Sequence, residues 1–127
     1  MATFHSFEDI KAWQKSRELT RSIRAICKRE NACKDYSFVD QITRSVRSVS
    51  ANIAEGSEAS ATREFIRFLR YAKRSVGEVR SHLYDALEEG YISSAEFKEL
   101  FTLCKEVGKM IAGLVNYLHQ KSSKTSN

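Results

Sequence analysis

The chain contains no proline and only five glycines among its 127 residues. β-Sandwiches and β-barrels place proline in turns and edge strands, and flexible linkers are often rich in it. Its absence therefore disfavours an all-β fold and a chain of domains joined by flexible linkers. No apolar run approaches the roughly 18 residues of a membrane-spanning helix. A chain of this length fits one core. These absences predict one helical domain with short connections and no membrane partner.

Cysteine is scarce, and no targeting segment is recognisable. Cys27, Cys33 and Cys104 form an odd, scattered set without a CxxC pair, so we expect them to act as small apolar thiols. The N-terminus has no basic segment followed by an apolar stretch. We therefore expect the protein to stay in a reducing cytoplasm.

Motifs for catalysis and metal binding are missing as well. The sequence has no glycine-rich phosphate loop, no GxSxG and no HExxH. His5, His82 and His119 are too far apart for two of them to share a helical turn, and the carboxylates do not follow the Glu-x-x-His pattern of di-iron bundles. We therefore expect no enzyme, no catalytic residue, no metal site and no cofactor.

Apolar residues at alternating steps of three and four define four helical segments, A to D. Segment A begins after Ser6, where Ser6-x-x-Asp9 predicts a helix cap, and ends near residues 27–30. Segment B covers about residues 36–54, and Gly56 is its expected stop. Segment C ends at Gly90. Segment D opens with the capping box formed by Ser93 and the glutamate three residues later.

The same spacing predicts which side chains form the core. Short connections between amphipathic helices give antiparallel neighbours, so the fold class is an all-α, up-down-up-down four-helix bundle. One domain is expected over residues 1–121, followed by a flexible polar tail over 122–127. The expected core positions are Ile10, Trp13, Ile23 and Cys27; Phe38, Ile42, Val46, Val49 and Ile53; Phe65, Leu69, Ala72, Val76, Val79, Leu83 and Ala86; and Phe97, Phe101, Cys104, Val107, Ile111, Leu114 and Leu118.

Segment D carries more apolar surface than one core requires. Leu103, Met110 and Tyr117 form a second row that widens its apolar arc to roughly 200°, whereas a surface helix usually needs a little over 100°. Either the helix sinks between two neighbours in a thick core, or a second copy of the chain covers the row. Gly77, Gly108 and Gly113 lie inside segments C and D, where close approach of another helix would offset their low helix propensity.

Basic residues are concentrated before residue 81. The chain has 21 Lys and Arg against 16 Asp and Glu, a net charge of +5. Residues 1–80 carry a net +6 and residues 81–127 a net −1, so the whole excess lies in the first two-thirds. We expect any polyanion-binding face to lie there. Segment C carries a continuous ridge, and segment B adds to it. The candidate phosphate-binding residues are Arg44, Arg47, Arg63, Arg67, Arg70 and Arg74.

Two interpretations of these arginines remain open. Arginine ridges bind the phosphates of RNA or DNA, and segment A repeats the spacing with Arg17, Arg21, Arg24 and Lys28. Charged helix exteriors are also ordinary in bundles, and Glu18, Glu64 and Glu78 are near enough in sequence to form ion pairs with some of these arginines.

The corner between segments B and C is chemically unusual. Glu55 lies at a helix C-terminus, where the macrodipole disfavours an acid, and Asn52 is a poor helix former. Together with Gly56 these residues predict either a structural clamp, accepting from the first-turn amides of segment C or from an arginine, or a ligand site.

Four motifs in order resemble one known family. SVSANIAEGSEAS at residues 48–60 resembles the signature of the bacterial four-helix bundle family also called 23S ribosomal RNA intervening-sequence proteins. The opening at 7–15, Gln41-Ile42-x-Arg44, and the Glu64-Phe65-x-x-Phe68-Leu69 stretch resemble its first three helices. The likeness spans about residues 7–118. It departs from the family at residues 32–36, before segment B.

The resemblance implies a four-helix bundle that assembles as a ring-like homopentamer. It also implies structural roles for Asn52, Glu55 and Gly56. Some relatives are encoded within insertions in ribosomal RNA genes, and distant ones are nucleic-acid-binding accessory proteins of diversity-generating reverse transcriptases. Two functional hypotheses follow for this chain: an oligomeric accessory protein that binds RNA or DNA without reading its sequence, and an interaction scaffold without a nucleic-acid partner.

Overall fold

The computed structural model describes residues 6–125, with side chains described as far as Ser122. A short 3-10 helix precedes four α-helices, and no strand occurs in this part of the chain. The 3-10 helix is Phe7–Asp9, and the α-helices are α1, Lys11–Cys27; α2, Tyr36–Ser57; α3, Thr62–Glu88; and α4, Ser94–Thr125.

The four helices pack in chain order around one core. Each contacts its sequence neighbours, and α4 closes the bundle by packing against α1; within residues 6–125 no helix contacts the one diagonally opposite. The α2–α3 contact is the most extensive, and the α3–α4 contact comes next. The predicted all-α, up-down-up-down four-helix bundle is thus confirmed.

The core follows the predicted stripes closely. All five positions of α2 are buried, as are those of α3 from Leu69 to Ala86 and four of the seven expected on α4. Trp13, Phe65, Phe97, Phe101 and Leu114 are only half-buried, because their rings or branches reach the edge of the bundle. The spacing did not single out five buried apolar residues of the helices: Ala12, Leu19, Ile26, Ile66 and Leu100.

Ser6 does not cap a long helix, contrary to the expectation from Ser6-x-x-Asp9. It precedes the 3-10 helix, and its side chain makes no capping hydrogen bond. The α-helix begins only at Lys11, with Ile10 as its N-cap residue. Ile10 is buried, so the chain bends there to place this side chain in the core before α1 begins.

Gly56 does not end α2, because the helix continues one residue further, to Ser57. A Cβ atom at Gly56 would lie 2.7 Å from Cβ of Phe68 and 3.0 Å from Cδ1 of Phe65, both on α3. The glycine therefore permits close approach of α3 rather than terminating α2. Gly90 does end α3 as expected, with a φ of 79° that favours glycine.

The predicted capping box of α4 is present. The backbone N–H of Ser93 donates to Glu96 Oε1 at 2.9 Å, and the backbone N–H of Glu96 donates to Ser93 Oγ at 3.1 Å. Glu96 also accepts a hydrogen bond from Arg29, whose Nη1 atom donates to Glu96 Oε1 at 3.1 Å. The Arg29 hydrogen bond is the main cause that lowers the pKa of Glu96 to about 2.

The same end of the bundle holds a second cross-link between connections. Asp35 caps α2 by accepting from the Phe38 N–H at 3.2 Å, and its other oxygen accepts the Tyr91 hydroxyl at 2.5 Å. This hydrogen bond raises the pKa of Tyr91 to about 12. Arg29 Nη1 also donates to the Tyr91 carbonyl at 2.8 Å. The α1–α2 and α3–α4 connections are therefore fastened to each other.

The end of the chain differs from the expected tail. Helix α4 continues to Thr125, so residues 122–125 are helical where a polar tail was expected from residue 122. Residues 126–127 lie outside the described residues, as do the first five.

Replacing Gly56 with alanine is expected to destabilise the fold. The overlap with Phe68 is typical of overpacking, which costs about 1–3 kcal/mol, and it outweighs a helix-propensity gain of about 1 kcal/mol. Urea unfolding followed by circular dichroism measures the difference. Gly113→Ala is the matched control: no atom lies within 4 Å of its Cβ position, so it should match or exceed wild-type stability. Equal stability of the two variants would contradict the close-contact role.

Stability is expected to depend on pH through Glu96. Because its pKa is lowered from 4.5 to about 2, the ion pair contributes fully above pH 4.5 and is lost as the pH falls through 2. The stability difference between wild type and Glu96→Gln should therefore shrink across that interval in urea unfolding. Glu99→Gln, an exposed change on the same helix, should keep the wild-type dependence. A difference that stays constant with pH would contradict the assignment.

Candidate functional site

The arginine ridge predicted on segment C is exposed along α3. Arg63, Arg67, Arg70 and Arg74 are all solvent-facing. Arg67 is the most engaged of them: its Nε atom lies 3.2 Å from Glu64 Oε1, and its guanidinium is about 6 Å from the ring centres of Phe68 and Tyr71. Arg67 therefore has both an anionic and an aromatic partner within the fold.

The second half of the ridge forms one wall of a groove between α3 and α4. The groove has a volume of about 490 Å³. Its uncharged lining residues, which we call its floor, are all small or apolar: Val76 and Gly77 on α3 and Cys104, Gly108 and Ala112 on α4. Its basic residues, the groove cations, are Arg70, Lys73, Arg74 and Arg80 of α3 and Lys105 and Lys109 of α4. We call this feature the basic groove.

The basic groove has no acidic lining residue. Among the described side chains, none of the six groove cations lies within 4.0 Å of a carboxylate, whereas Lys15, Arg29, Arg44 and Arg67 each have an acidic partner. Because six cations line the groove and no carboxylate neutralises them, its positive potential attracts anions. Beyond Arg70 a second depression, of about 620 Å³, continues along Arg63, Arg67 and His119 toward the start of α3.

Arg44 and Arg47 do not join this surface. Arg44 lines a different groove, between α2 and α3, together with Gln41, Ser48 and His82, and its Nε atom lies 3.5 Å from Asp40 Oδ2. Arg47 is exposed on α2 and does not line the basic groove. The six predicted arginines thus occupy more than one face of the molecule, because α3 separates the two grooves.

Four of the groove cations are not among the phosphate-binding residues predicted from the sequence: Lys73, Arg80, Lys105 and Lys109. Lys105 and Lys109 of α4 lie beyond the first two-thirds of the chain, where the sequence predicts the polyanion-binding face. The net charge of residues 81–127 gave no sign of Lys105 and Lys109, because the acidic residues of that segment offset them in the sum but do not line the groove. The i, i+4 spacing of Lys105 and Lys109 was the available signal.

The ion pairs expected for the competing interpretation are only partly present. Glu64 pairs with Arg67, but Glu18 pairs with Lys15 instead of an arginine, at 3.5 Å. Glu78 accepts a hydrogen bond from Ser45 Oγ at 3.3 Å. Most of the basic surface on α3 is therefore not neutralised from within the described chain.

The corner between α2 and α3 is joined by hydroxyl groups and one amide. Asn52 Nδ2 donates to the carbonyl oxygen of Ser48 at 2.8 Å and to its Oγ at 2.9 Å, and Ser75 of α3 donates to the same Oγ at 2.9 Å. Asn52 thus acts through Ser48, not by accepting from the first-turn amides of α3. Glu55 is exposed and, in the described part of the chain, has no ion pair with an arginine, so the expected clamp through its carboxylate is absent.

The surplus apolar row of α4 is partly covered by its own chain. Leu103 and Met110 are half-buried against the core, while Tyr117 is 42% exposed. At about 100° per residue this row lies nearly opposite the basic groove on α4. The expected close approach of a helix to Gly77, Gly108 and Gly113 does not occur within the described chain, since no atom lies within 4 Å of their Cβ positions.

The nucleophilic and metal-binding side chains form no reactive centre in the described residues. Burial raises the pKa of the Cys27 thiol and raises that of Cys104 to about 12, which keeps both protonated, and Cys33 is exposed. His82 lies beside Asp85 and His119 beside Arg70; His5 is outside the described residues. Residues 6–122 contain no group of three potential metal ligands. No described helix is long and apolar enough to cross a bilayer.

Fold and site together define a small helical-bundle protein with a basic groove between two adjacent helices. A family model described as "23S rRNA-intervening sequence protein" matches residues 8–113. Because the match covers most of the chain, the protein belongs to this family.

A solved structure supports the same placement. It is a protein with unknown function from the S23 ribosomal protein family of Bacteroides thetaiotaomicron VPI-5482, with 25% sequence identity and a TM-score of 0.74. The alignment covers 82% of this chain and 97% of the other. None of the curated proteins compared with the chain matches it.

The corner residues are expected to differ in their effect on stability. Asn52→Asp keeps the side-chain shape but replaces the donor with an acceptor facing the Ser48 carbonyl, which should cost about 1–3 kcal/mol. Glu55→Gln, an equally conservative change of an exposed side chain, should stay within about 0.5 kcal/mol of wild type. Urea unfolding of both variants measures the difference. A larger loss of unfolding free energy in Glu55→Gln than in Asn52→Asp would show that the Glu55 carboxylate, and not Asn52, stabilises the corner.

Proposed function

We propose that this protein is a non-enzymatic, oligomeric accessory protein that binds nucleic acid through phosphate contacts, without reading base sequence. The observation that carries the proposal is the basic groove, where six cations line one cleft with no acidic residue among them. Nucleic acids are abundant polyanions, and their phosphates can neutralise such a surface.

The composition of the groove favours backbone contacts over base reading. Arginine forms bidentate hydrogen bonds with phosphate, and lysine contributes point charges that tolerate many phosphate positions. The walls are two long helices lying side by side, so neither projects from the surface as a recognition helix that enters a major groove. Binding that depends on charge alone is independent of sequence and strongly dependent on salt.

Salt dependence provides a numerical expectation. Single-stranded nucleic acid releases about 0.7 counterion for each phosphate that is neutralised. Engagement of four of the six groove cations gives a slope near −2.8 in a plot of log affinity against log salt. Between about 50 and 200 mM salt the affinity should then fall roughly 50-fold.

We propose that the chain acts as a homo-oligomer, and the family resemblance implies a pentamer. Support comes from the exposed Tyr117 at the end of the surplus apolar row of α4. Because that row lies nearly opposite the basic groove, a second copy placed there would leave the groove open. Repetition of the groove around an assembly would also multiply the phosphate contacts available to one polymer.

The scaffold hypothesis has its own supporting observation. Arg44 and Arg67 are held by Asp40 and Glu64, and pairs of this kind are ordinary on bundle surfaces. In a scaffold the groove cations would instead meet carboxylates of a protein partner. The absence of nucleic-acid binding by the intact oligomer would favour this alternative.

Charge reversal of the groove wall tests the function. Arg70→Glu/Arg74→Glu should weaken binding of RNA and DNA at about 50 mM salt by at least tenfold and reduce the salt slope by about 1.4, because two phosphate contacts are removed. Fluorescence anisotropy with labelled oligonucleotides measures both quantities. Light scattering should give the wild-type mass for the variant, so that lost binding is not lost assembly.

The matched control is Arg21→Glu/Arg24→Glu on α1. It changes the net charge equally at two exposed arginines that lie outside the basic groove. Near-wild-type affinity is expected for this control. Equal weakening of both variants would indicate only a general effect of net charge, and wild-type protein that fails to bind at about 50 mM salt would refute the proposal.

A further inference from the structure

We infer that the occupant of the basic groove is a single nucleic-acid strand rather than a duplex, and that Tyr84 stacks against one of its bases. This inference rests on the proposed function, since it names the form of nucleic acid that the same groove takes. Three features carry it: the width of the cleft, its glycine floor and the aromatic cluster at its end.

The cleft lies between two helices that pack directly against each other, and the axes of such helices are about 8–10 Å apart. A B-form duplex, whose major groove alone is about 12 Å wide, cannot enter between them. A duplex laid on α3 and α4 would touch the rim with one phosphate row and leave the opposite wall unused. A single backbone can lie between Arg74 on one wall and Lys109 on the other and be neutralised from both sides.

The floor of the cleft leaves room for a backbone. Gly77 and Gly108 both line it, and nothing lies within 4 Å of the Cβ position of either residue. Glycine inside a helix is disfavoured by about 0.8–1 kcal/mol relative to alanine, so two glycines facing one open cleft are unfavourable for the helices alone. Their absent side chains let a strand lie deeper between the cationic walls.

The length of the cleft matches a short stretch of strand. Along α3 it runs from Arg70 to Arg80, which is about 15 Å at 1.5 Å per residue. This corresponds to about four nucleotides at the 3.4 Å spacing of a B-form strand, and fewer in an extended one. The six groove cations therefore suffice to neutralise the phosphates of the bound stretch.

The end of the cleft carries exposed aromatic surface. Arg80 lies over the ring of Phe101 at 5.0 Å, and the ring of Tyr84, one turn further along α3, contacts Phe101 and Phe97 at 6.0 and 5.0 Å between centroids. Tyr84 is 49% exposed, unlike the ordinary buried core aromatic. A basic track that leads to an exposed ring is the arrangement with which proteins hold single strands, because unpaired bases stack on such rings.

The decisive experiment compares one strand with its duplex. The probes are a labelled thymidine oligonucleotide of about 12 nucleotides and the same strand paired with its adenosine complement, measured by fluorescence anisotropy on the intact oligomer. The single strand should bind at least tenfold more tightly than the duplex at the same salt concentration. Equal or tighter binding of the duplex overturns the inference but leaves the proposed function intact.

Tyr84→Leu tests the stacking contact while keeping an apolar side chain against Phe97 and Phe101. Affinity for the single strand should fall roughly 5- to 150-fold, the usual effect of losing one stacked base, and duplex affinity should not change. Tyr36→Leu is the control, because Tyr36 is 76% exposed and lies outside the groove. Unchanged single-strand affinity of Tyr84→Leu overturns the assignment of Tyr84.

Gly77→Leu tests occupation of the floor without changing charge. It should lower single-strand affinity at least tenfold, whereas Gly113→Leu, an equally open glycine outside the groove, should bind as wild type does. If Gly77→Leu fails to assemble, the Tyr84→Leu result and the strand-to-duplex ratio still decide. Loss of binding in Arg70→Glu/Arg74→Glu with no loss in Gly77→Leu would place the polymer on the outer ridge and overturn the inference. Failure of the wild-type protein to bind either probe would overturn both proposals.

Discussion

The close contact between Gly56 of α2 and the Phe65 and Phe68 side chains of α3 sets the geometry of the bundle. Because residue 56 is a glycine, α2 and α3 can pack in direct contact at the corner where the chain reverses. Further along the same interface, Ser48 and Ser75 lie close enough for a direct hydrogen bond. The contact therefore fixes how α3 is rotated about its axis, and that rotation decides which of its residues face α4.

Helix α3 consequently presents three different surfaces. One is apolar and buried in the core, one meets α2 through hydroxyl groups, and the third carries the cations that line the basic groove with α4. Uncompensated like charges are unfavourable for folding, and glycine within helices adds to that cost. Proteins tolerate such local costs most often where a surface has a binding role, because stability and function are selected together.

The far end of the α3–α4 hairpin keeps the groove in register. Arg29 of the α1–α2 connection reaches both the Tyr91 carbonyl and the Glu96 carboxylate, and Asp35 accepts the Tyr91 hydroxyl. These bonds fasten the start of α4 to the rest of the bundle, so α4 cannot slide along α3 without breaking them. Precise placement of Lys105 and Lys109 opposite the arginines therefore depends on residues that lie far from the groove.

The sequence by itself determined the helices, most of the core and the family. Periodic apolar spacing reports which face of a helix avoids water, and glycine and the Ser93 capping box mark two of the helix boundaries, so these features are readable one helix at a time. The role of Gly56 was misread, because a stop signal and a close contact look alike without the neighbouring helix. Of the six groove cations, only Arg70 and Arg74 of α3 could be named from the sequence. The completion of the basic groove by Lys105 and Lys109, the exclusion of Arg44 and the alignment of two glycines are relations between helices. The tertiary structure alone decides these, because rotation and register are set by packing rather than by local spacing.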